Sequence, residues 1–292
     1  MTLYTQADSN IRKTWILIFI FVIFIIGLGW IFSYQFDDPA ILILAVIFAF
    51  FQSFISYWFS DKIILSLTKA QLIKKDDNPE LYRIVENLCI TAGLPVPKIY
   101  ITPEVQPNAF ATGRDKDHAV IAVTQGLLQK LDKTELEGVV SHELAHIGNK
   151  DMLLMTIVVV LVGFIAILSN WLLRFMRFGG GNRKSGRGGG VFLIIGLILA
   201  ILSPLVVKLI QLAISRKREF LADASGALLT RYPKGLANAL EKISADKTPL
   251  QTASDVTAHL YISSPLKGNK ISGLFLTHPP IEERIKILRE MQ

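Results

Sequence analysis

The chain has 292 residues, of which 51% are hydrophobic, and carries a formal net charge of +7. This apolar fraction is high for a soluble protein, so we look first for membrane spans and treat the basic excess as a topology signal. The single cysteine, Cys89, excludes a disulfide within the chain and is expected to be a small buried apolar residue. No basic repeat interleaved with aromatic residues indicates a nucleic-acid partner.

Two uncharged runs near the N-terminus predict a pair of transmembrane helices. Residues 15–34 carry no charge over 20 positions, which is about the length that a helix needs to cross a bilayer. This run is longer than the apolar part of a cleavable signal peptide and ends in aromatic residues, so we expect a retained anchor. Residues 39–59 form a second run, which ends in Tyr57 and Trp58, aromatic residues typical of the membrane interface.

The next stretch is soluble in character and predicts a helix followed by a small sheet. Residues 78–91 have the pattern of a helix. Residues 98–102 and 118–124 have the alternation of strands and are bounded by turns, which indicates a small antiparallel sheet. A further helix is predicted after the sheet, and either Asp132 or Thr134 can cap it, Thr134 within a capping-box pattern.

This further helix carries the motif His-Glu-x-x-His at residues 142–146. Residues four apart lie on one face of a helix, so His142 and His146 point the same way, and two imidazoles so placed can hold one Zn²⁺. Glu143 lies next to the first ligand, where its carboxylate can take a proton from a metal-activated water. The alternative is two histidines on an ordinary amphipathic helix, but the helical context favours the metal site.

Two further apolar runs follow the motif and predict a second hairpin. Residues 152–173 are uncharged and begin just after the motif. A loop rich in Gly, Arg and Lys follows at residues 174–190, and residues 191–207 form the fourth run. The basic loop argues against a clean crossing, so partial insertion of this hairpin remains an alternative.

A third metal ligand is predicted on the helix after the fourth run. Glu219 lies in a strongly helical stretch, and Asp223 lies one turn on, on the same face. A catalytic zinc site takes three protein ligands, and two histidines with one glutamate are a known set. We therefore predict Glu219 as the third ligand and Asp223 as a carboxylate that orients a ligand imidazole. The alternative is a charged helix face, and Arg216, Lys217 and Arg218 are expected to be interfacial cations.

A shared metal ion constrains the topology of the chain. If the two histidines and Glu219 hold one Zn²⁺, the ends of the third and fourth apolar runs meet at the ion, which must then lie at the membrane surface. Lys and Arg are more frequent beside the runs on the metal side than on the far side, where the first loop has none. The positive-inside rule therefore predicts that the site faces the cytoplasm.

The C-terminal part is expected to be soluble. Pro233 begins a helix to about residue 244, residues 245–273 have the composition of a mobile loop, and residues 277–284 have the pattern of a capped helix start. The chain is thus predicted to comprise a transmembrane hairpin, a first catalytic part, a second hairpin and a second catalytic part. These four segments are residues 1–60, 61–151, 152–214 and 215–292.

Together these motifs resemble the HtpX family of membrane-bound zinc metalloproteases, which are relatives of the CAAX prenyl endopeptidases. Besides the two hairpins, the resemblance rests on residues 108–113, 142–146, 215–223 and 277–280. It implies an α-helical integral membrane protein with a zincin-like α+β catalytic domain, in which a small sheet packs on the motif helix. It also implies one zinc ion per chain, held by His142, His146 and Glu219, with Glu143 as the general base.

The resemblance further implies a multi-pass enzyme of the bacterial inner membrane that degrades misfolded or damaged membrane proteins on the cytoplasmic side during stress. Unfolded polypeptides would be its substrates, and self-cleavage is a possible consequence. Asn108 and Ala109 would lie on an edge strand, where an extended substrate can pair with the backbone, or would only join a turn to a strand. His278 is a candidate oxyanion donor or a helix-cap histidine.

Two other functions are weighed against this one. A prenyl-protein protease would need a chamber enclosed by more transmembrane helices than four apolar runs provide. A membrane scaffold with a structural zinc would need a closed site of four protein ligands, often thiolates, and Cys89 lies far from the motif. The membrane endopeptidase is therefore the leading interpretation.

Overall fold

The computed structural model describes residues 3–178, 198, 216–246, 248, 262 and 279–291, and this part of the chain is mostly helical. The helices in these ranges are α1 (Leu3–Phe36), α2 (Pro39–Trp58), α3 (Ser60–Leu67), α4 (Pro79–Ala92), α5 (Gln125–Lys130), α6 (Lys133–Gly148), α7 (Asp151–Phe178), α8 (Arg216–Thr230), α9 (Pro233–Ala245) and α10 (Ile281–Glu290). The strands are β1 (Gln71–Leu72), β2 (Lys98–Thr102), β3 (Ala109–Thr112) and β4 (Val120–Thr124). The sequence pattern predicts neither α3 nor β1.

Three helices of the described part are long and apolar enough to cross a membrane, over Asp8–Phe36, Pro39–Trp58 and Asp151–Asn170. The first two form the predicted N-terminal hairpin, in which α1 and α2 approach closely. A Cβ atom on Gly29 would lie 2.2 Å from the Cβ atom of Ala45, so the crossing requires glycine at this position. The predicted return of the second hairpin, residues 191–207, lies outside the described residues except for Ile198.

The three long helices pack on one another through a shared apolar cluster. α7 contacts both α1 and α2, and buried leucine, isoleucine and phenylalanine side chains from α1 and α7 form the centre of the cluster. The outer faces of α1 and α2 expose large apolar side chains such as Phe19 and Phe50, which are 65% and 62% exposed. Such an outer face suits a lipid environment, where apolar surface carries no cost.

The sheet is mixed, whereas the sequence predicts an antiparallel sheet. Its strand order is β1-β2-β4-β3. β1 pairs antiparallel with β2, and β3 pairs antiparallel with β4, but β2 and β4 run parallel, with Lys98 opposite Val120. The parallel pair arises because the chain leaves β2, forms β3 at the far edge of the sheet and then turns back to form β4 between β2 and β3. Gly113 makes this turn with a φ of +139°, and a side chain there would meet the His118 carbonyl oxygen.

The motif helix α6 lies at the centre of the catalytic part and packs against α4, β3, α8 and α9. Asp132 caps it in a capping box with Glu135, so the cap is the first of the two predicted alternatives, and the Thr134 box does not form. Two glycines allow close crossings. A Cβ atom on Gly138 would lie 2.5 Å from the backbone nitrogen of Leu236 on α9, and one on Gly226 of α8 would lie 3.0 Å from that of His142.

Candidate metal centre

Two imidazoles and one carboxylate converge between α6 and α8. The Nε2 atoms of His142 and His146 are 3.2 Å apart. The Glu219 carboxylate reaches across from α8, with Oε2 at 3.8 Å from His142 Nε2 and Oε1 at 3.7 Å from His146 Nε2. All three residues are buried. The structure therefore brings together the three predicted ligands, although α6 and α8 are separated by a long stretch of chain.

The spacing of the three ligand atoms fits a zinc ion. The candidate ligand atoms all lie within 4.8 Å of one another. Zinc binds nitrogen and carboxylate oxygen at about 2.0–2.2 Å in tetrahedral geometry, which places neighbouring ligand atoms roughly 3.3–3.5 Å apart. Nitrogen and carboxylate oxygen are also the donor types that zinc takes in catalytic sites. The residues present thus fit the metal that their pattern predicts.

Glu143 lies next to His142 in the chain and is not part of the cluster of three candidate ligands. Its side chain is buried and accepts a hydrogen bond from the backbone of Ala111 in β3. Burial raises the pKa of the Glu143 carboxyl to about 7, an effect that Glu219 reinforces and His146 opposes. A carboxyl group with a pKa close to neutral can both accept and return a proton at physiological pH.

His142 contacts Asp223, the residue predicted to orient a ligand imidazole. Its Nδ1 lies 2.9 Å from Asp223 Oδ1. Arg284 of α10 makes two charge-assisted bonds to the same carboxylate, at 2.7 and 2.8 Å, and lies 3.6 Å from Glu219 Oε2. Burial alone would raise the pKa of the Asp223 carboxyl, but Arg284 outweighs it and lowers that pKa to about 2. Asp223 is therefore a fixed anion behind the first ligand.

Sequence reasoning missed Arg284. It is 1% exposed and lies on the face of α10 that packs into the core. One signal for it exists in the sequence, because Ile281, Arg284, Ile285 and Leu288 follow the helical spacing of a buried face. An arginine within such a face must meet an anion, since an unpaired buried charge is very costly.

His146 is held by a different carboxylate, which sequence reasoning also missed. Its Nδ1 lies 3.1 Å from Asp151 Oδ2, at the first residue of α7. Burial alone would lower the pKa of His146, but Asp151 and Glu219 outweigh it and raise that pKa to about 9. Arg218 places its Nε 3.7 Å from Asp151 Oδ1 and is 2% exposed. The expectation that Arg218 is an interfacial cation is therefore wrong, because its side chain points inward from α8.

The predicted substrate residues lie at the sheet edge beside α6. β3 is the last strand in the order, so Ala109 begins an edge strand, and Asn108 immediately precedes it. Both residues are buried. The carbonyl oxygen of Ala109 accepts a hydrogen bond from the backbone nitrogen of Ile262, at 3.1 Å, so one backbone group of this edge is already engaged. His278 lies outside the described residues.

Comparisons with known proteins place this centre among metallopeptidases. Residues 75–292 match the family described as Peptidase family M48. The chain is 45% identical to a protein named "Protease HtpX homolog" from Thermoanaerobacter pseudethanolicus, over 99% of this chain and 98% of that one. A protein of the same name from Thermococcus kodakarensis is 46% identical over 96% of this chain and 95% of its own length.

A solved structure has a similar fold. The crystal structure of S. mikatae Ste24p aligns with a TM-score of 0.52 at 20% sequence identity, over 95% of this chain and 67% of that one. At this identity the similarity concerns the fold alone. The family match begins at residue 75, so α1 and α2 precede it.

Proposed function

The chain belongs to peptidase family M48 and is a membrane metalloprotease, and on this basis we propose that it is a zinc endopeptidase that cleaves misfolded or damaged membrane proteins on the cytoplasmic side. The observation that carries the proposal is the convergence of two imidazoles, one carboxylate and a separate buried carboxyl at a single point. Three metal ligands with a neighbouring proton acceptor are the groups that metal-assisted hydrolysis of a peptide bond uses.

In this proposal His142, His146 and Glu219 hold one Zn²⁺ per chain, and the ion supplies Lewis acidity toward water and the scissile carbonyl. Glu143 takes a proton from the attacking water on its carboxylate and passes it to the departing amine. Burial raises the pKa of the Glu143 carboxyl and so favours uptake of the proton, while the positive charge of a bound ion would favour its return to the carboxylate form.

The carboxylates behind the two histidines set the orientation of the rings. Each accepts the Nδ1 proton of its histidine, Asp223 at 2.9 Å and Asp151 at 3.1 Å. This leaves the Nε2 lone pair of each ring directed at the metal position. The two Nε2 atoms face Glu219, so the rings need no rearrangement to serve as ligands, and metal binding would release the second proton that a pKa of about 9 leaves on His146.

The substrate is proposed to bind as an extended strand along β3. Backbone pairing at an edge strand recognises an extended, unfolded conformation more than particular side chains, which suits misfolded proteins and self-cleavage of loosened copies. Ala109 and Asn108 are proposed to provide this edge, which lies against α6, and the substrate backbone would replace the Ile262 nitrogen as the partner of the Ala109 carbonyl oxygen. His278 is proposed to donate to the developing oxyanion.

The metal centre is proposed to lie at the inner surface of the bacterial cytoplasmic membrane. Asp151 both contacts His146 and begins the candidate span Asp151–Asn170, so the centre adjoins the end of an apolar helix. Basic residues flank this end, with Lys150 preceding α7 and Lys62 following α2, whereas the turn between α1 and α2 has none. This asymmetry supports a cytoplasmic active site.

The proposal is tested with Glu143→Gln, which keeps the side-chain shape and all three ligands but removes the proton acceptor. Cleavage of unfolded casein by the purified protein should fall about 10²–10⁴-fold, while zinc content measured by metal analysis stays near one per chain. The matched control is Glu137→Gln on the same helix, a half-buried carboxylate that pairs with Lys133 at 3.9 Å, and it should leave both quantities unchanged. Near wild-type cleavage by Glu143→Gln would remove Glu143 from the mechanism, and loss of zinc would mean that Glu143 is itself a ligand.

A further inference from the structure

A buried polar cluster lies behind His146 and joins three elements that are distant in sequence. It consists of Asn10 of α1, Asp151 at the start of α7 and Arg218 of α8, and these side chains are 0%, 0% and 2% exposed. Asn10 belongs to the N-terminal helix, well before the stretch that matches the peptidase family. The first long apolar helix is therefore joined to the candidate metal centre through Asp151, which contacts His146.

The two polar atoms of the Asn10 amide have different partners. The Nδ2 atom donates a short hydrogen bond to Asp151 Oδ1 and also lies 3.4 Å from the carbonyl oxygen of Asn149. The Oδ1 atom accepts a hydrogen bond from Arg218 Nη1, at 3.2 Å. The second carboxylate oxygen of Asp151 remains directed at His146 Nδ1. Asn10 thus fixes one oxygen of Asp151 while the other holds the histidine.

The cluster needs a side chain that donates on one side and accepts on the other. A carboxylate requires a donor and a guanidinium requires an acceptor, and an amide provides both. Asparagine is a weak helix former, and a buried polar group is costly unless it is hydrogen-bonded. Neither helix propensity nor burial explains Asn10 in α1, whereas its position between Asp151 and Arg218 does.

We propose that Asn10 is a positioning residue of the metal centre, which holds the His146 ring through Asp151 and the Glu219 segment through Arg218. The first membrane helix is then part of the zinc-binding unit as well as an anchor. This inference rests on the proposed function, in which His146 and Glu219 are zinc ligands.

The test measures zinc affinity of the full-length chain in detergent by competition with a chelator. Loss of an outer partner of a ligand lowers metal affinity by about 10–100-fold. The loss of zinc affinity in Asp151→Asn should therefore be about 10–100-fold. The loss in Asn10→Leu should be about tenfold, at the lower end of this range, because Asn10 acts on His146 through Asp151. The matched control is Thr14→Val, one turn further along α1, where a buried hydroxyl bonds only to its own helix. This control should bind zinc as the wild type does.

A double-mutant cycle separates positioning from a general effect on folding. Because Asn10 contacts Arg218 as well as Asp151, adding Asn10→Leu to Asp151→Asn should cost less zinc affinity than Asn10→Leu costs alone, so the two losses should add only in part. The absorption bands of the Co²⁺-substituted protein should also shift in Asn10→Leu but not in Thr14→Val, because they report ligand orientation. Wild-type affinity of Asn10→Leu, or losses that add in full, would overturn the inference.

Two further variants keep the result decisive. Asn10→Asp retains the side-chain shape but replaces the donor that faces Asp151 with a second carboxylate, and it serves if Asn10→Leu does not fold. It should also lower zinc affinity, and wild-type affinity would count against the inference. His146→Ala tests the premise. If His146→Ala keeps its zinc, the proposed ligand set fails, whereas if it loses zinc and the Asn10 variants do not, only the inference fails.

Discussion

Each histidine of the metal centre is held by its own carboxylate, and each carboxylate is held by its own arginine. Asp223 lies between His142 and Arg284, and Asp151 lies next to His146 and Arg218. Buried carboxylates of this kind are stable only while their partners remain, because an uncompensated charge in the interior is costly. The arginines therefore contribute to stability as well as to the orientation of the ligands.

Arg284→Met tests this contribution, because it removes the charge and keeps an apolar side chain of similar length. The free energy of unfolding should fall by about 3–5 kcal/mol, since Asp223 is left as an unpaired buried anion. Chemical denaturation followed by circular dichroism measures this change, and zinc content should fall with it. The matched control is Arg289→Met on the same helix, whose exposed ion pair with Glu241 is worth about 1 kcal/mol or less. Equal losses in the two variants would contradict the role of Arg284.

The sequence predicts the three candidate ligands, which the structure brings together, but it does not predict most of the side chains that support them. His142 and His146 follow from local helical spacing, and Glu219 follows from the number of ligands that zinc needs. Asp151 and Arg284 depend on contacts between distant elements, which no local pattern encodes. The sequence predicts Arg218 to be an interfacial cation like its neighbours Arg216 and Lys217. Those two residues are exposed, but the packing of α8 turns the Arg218 side chain inward.

The elements of the catalytic part show the same division between local and tertiary information. The strands at residues 98–102 and 118–124 and the helices around them are predicted nearly at their observed bounds, since alternation and caps are local signals. The parallel pairing of β2 with β4 is not predicted, because it depends on β3 occupying the far edge of the sheet.

Cys89 lies in the core as expected, and burial raises the pKa of its thiol to about 11.

The cap of α6 provides a test at the level of a single helix. The Asp132 side chain accepts from the backbone nitrogen of Glu135 at 3.0 Å, whereas the Thr134 hydroxyl donates to Asp132 and caps nothing itself. Asp132→Ala should lower the free energy of unfolding by about 1 kcal/mol, within the range of about 0.5–2 for lost caps. Thr134→Ala, measured by the same denaturation experiment, should cost less. A larger loss for Thr134→Ala would mean that the helix begins at the other predicted cap.

At the scale of the whole molecule, the length of α1 explains how a membrane helix reaches the metal centre. Its 34 residues extend over about 51 Å at 1.5 Å per residue, whereas the hydrocarbon core is about 30 Å thick. Arg12 and Lys13 precede the uncharged run of residues 15–34, so we expect the excess length at the N-terminal end, where Asn10 lies beside Asp151. The domain boundary near residue 60 remains a prediction, and the contact of Asn10 with Asp151 indicates that α1 and the catalytic part act together.

Hydropathy predicts the three candidate spans because length and composition are sufficient for that purpose. The side of the membrane that carries the metal centre remains a prediction. It rests on the absence of Lys and Arg between α1 and α2 and on their presence at the opposite ends of these helices, where Arg12, Lys13 and Lys62 lie. His146 contacts Asp151, the first residue of α7, so the candidate metal centre is expected to lie on the same side as the start of α1 and the end of α2.

This topology predicts the accessibility of single cysteines in intact cells, introduced into a Cys89→Ala background. Asp76→Cys and Lys234→Cys, at exposed positions of the catalytic part, should resist a reagent that does not cross the inner membrane and should react once the cells are opened. Asp37→Cys, in the turn between α1 and α2, should react in intact cells and serves as the matched control. Because the catalytic residues share one metal centre, Asp76→Cys and Lys234→Cys must behave alike. If both cysteines react in intact cells, the metal site faces the outside and the proposed orientation is wrong. If only one reacts, the two halves of the proposed zinc site lie on opposite sides of the membrane, and the ligand set is wrong.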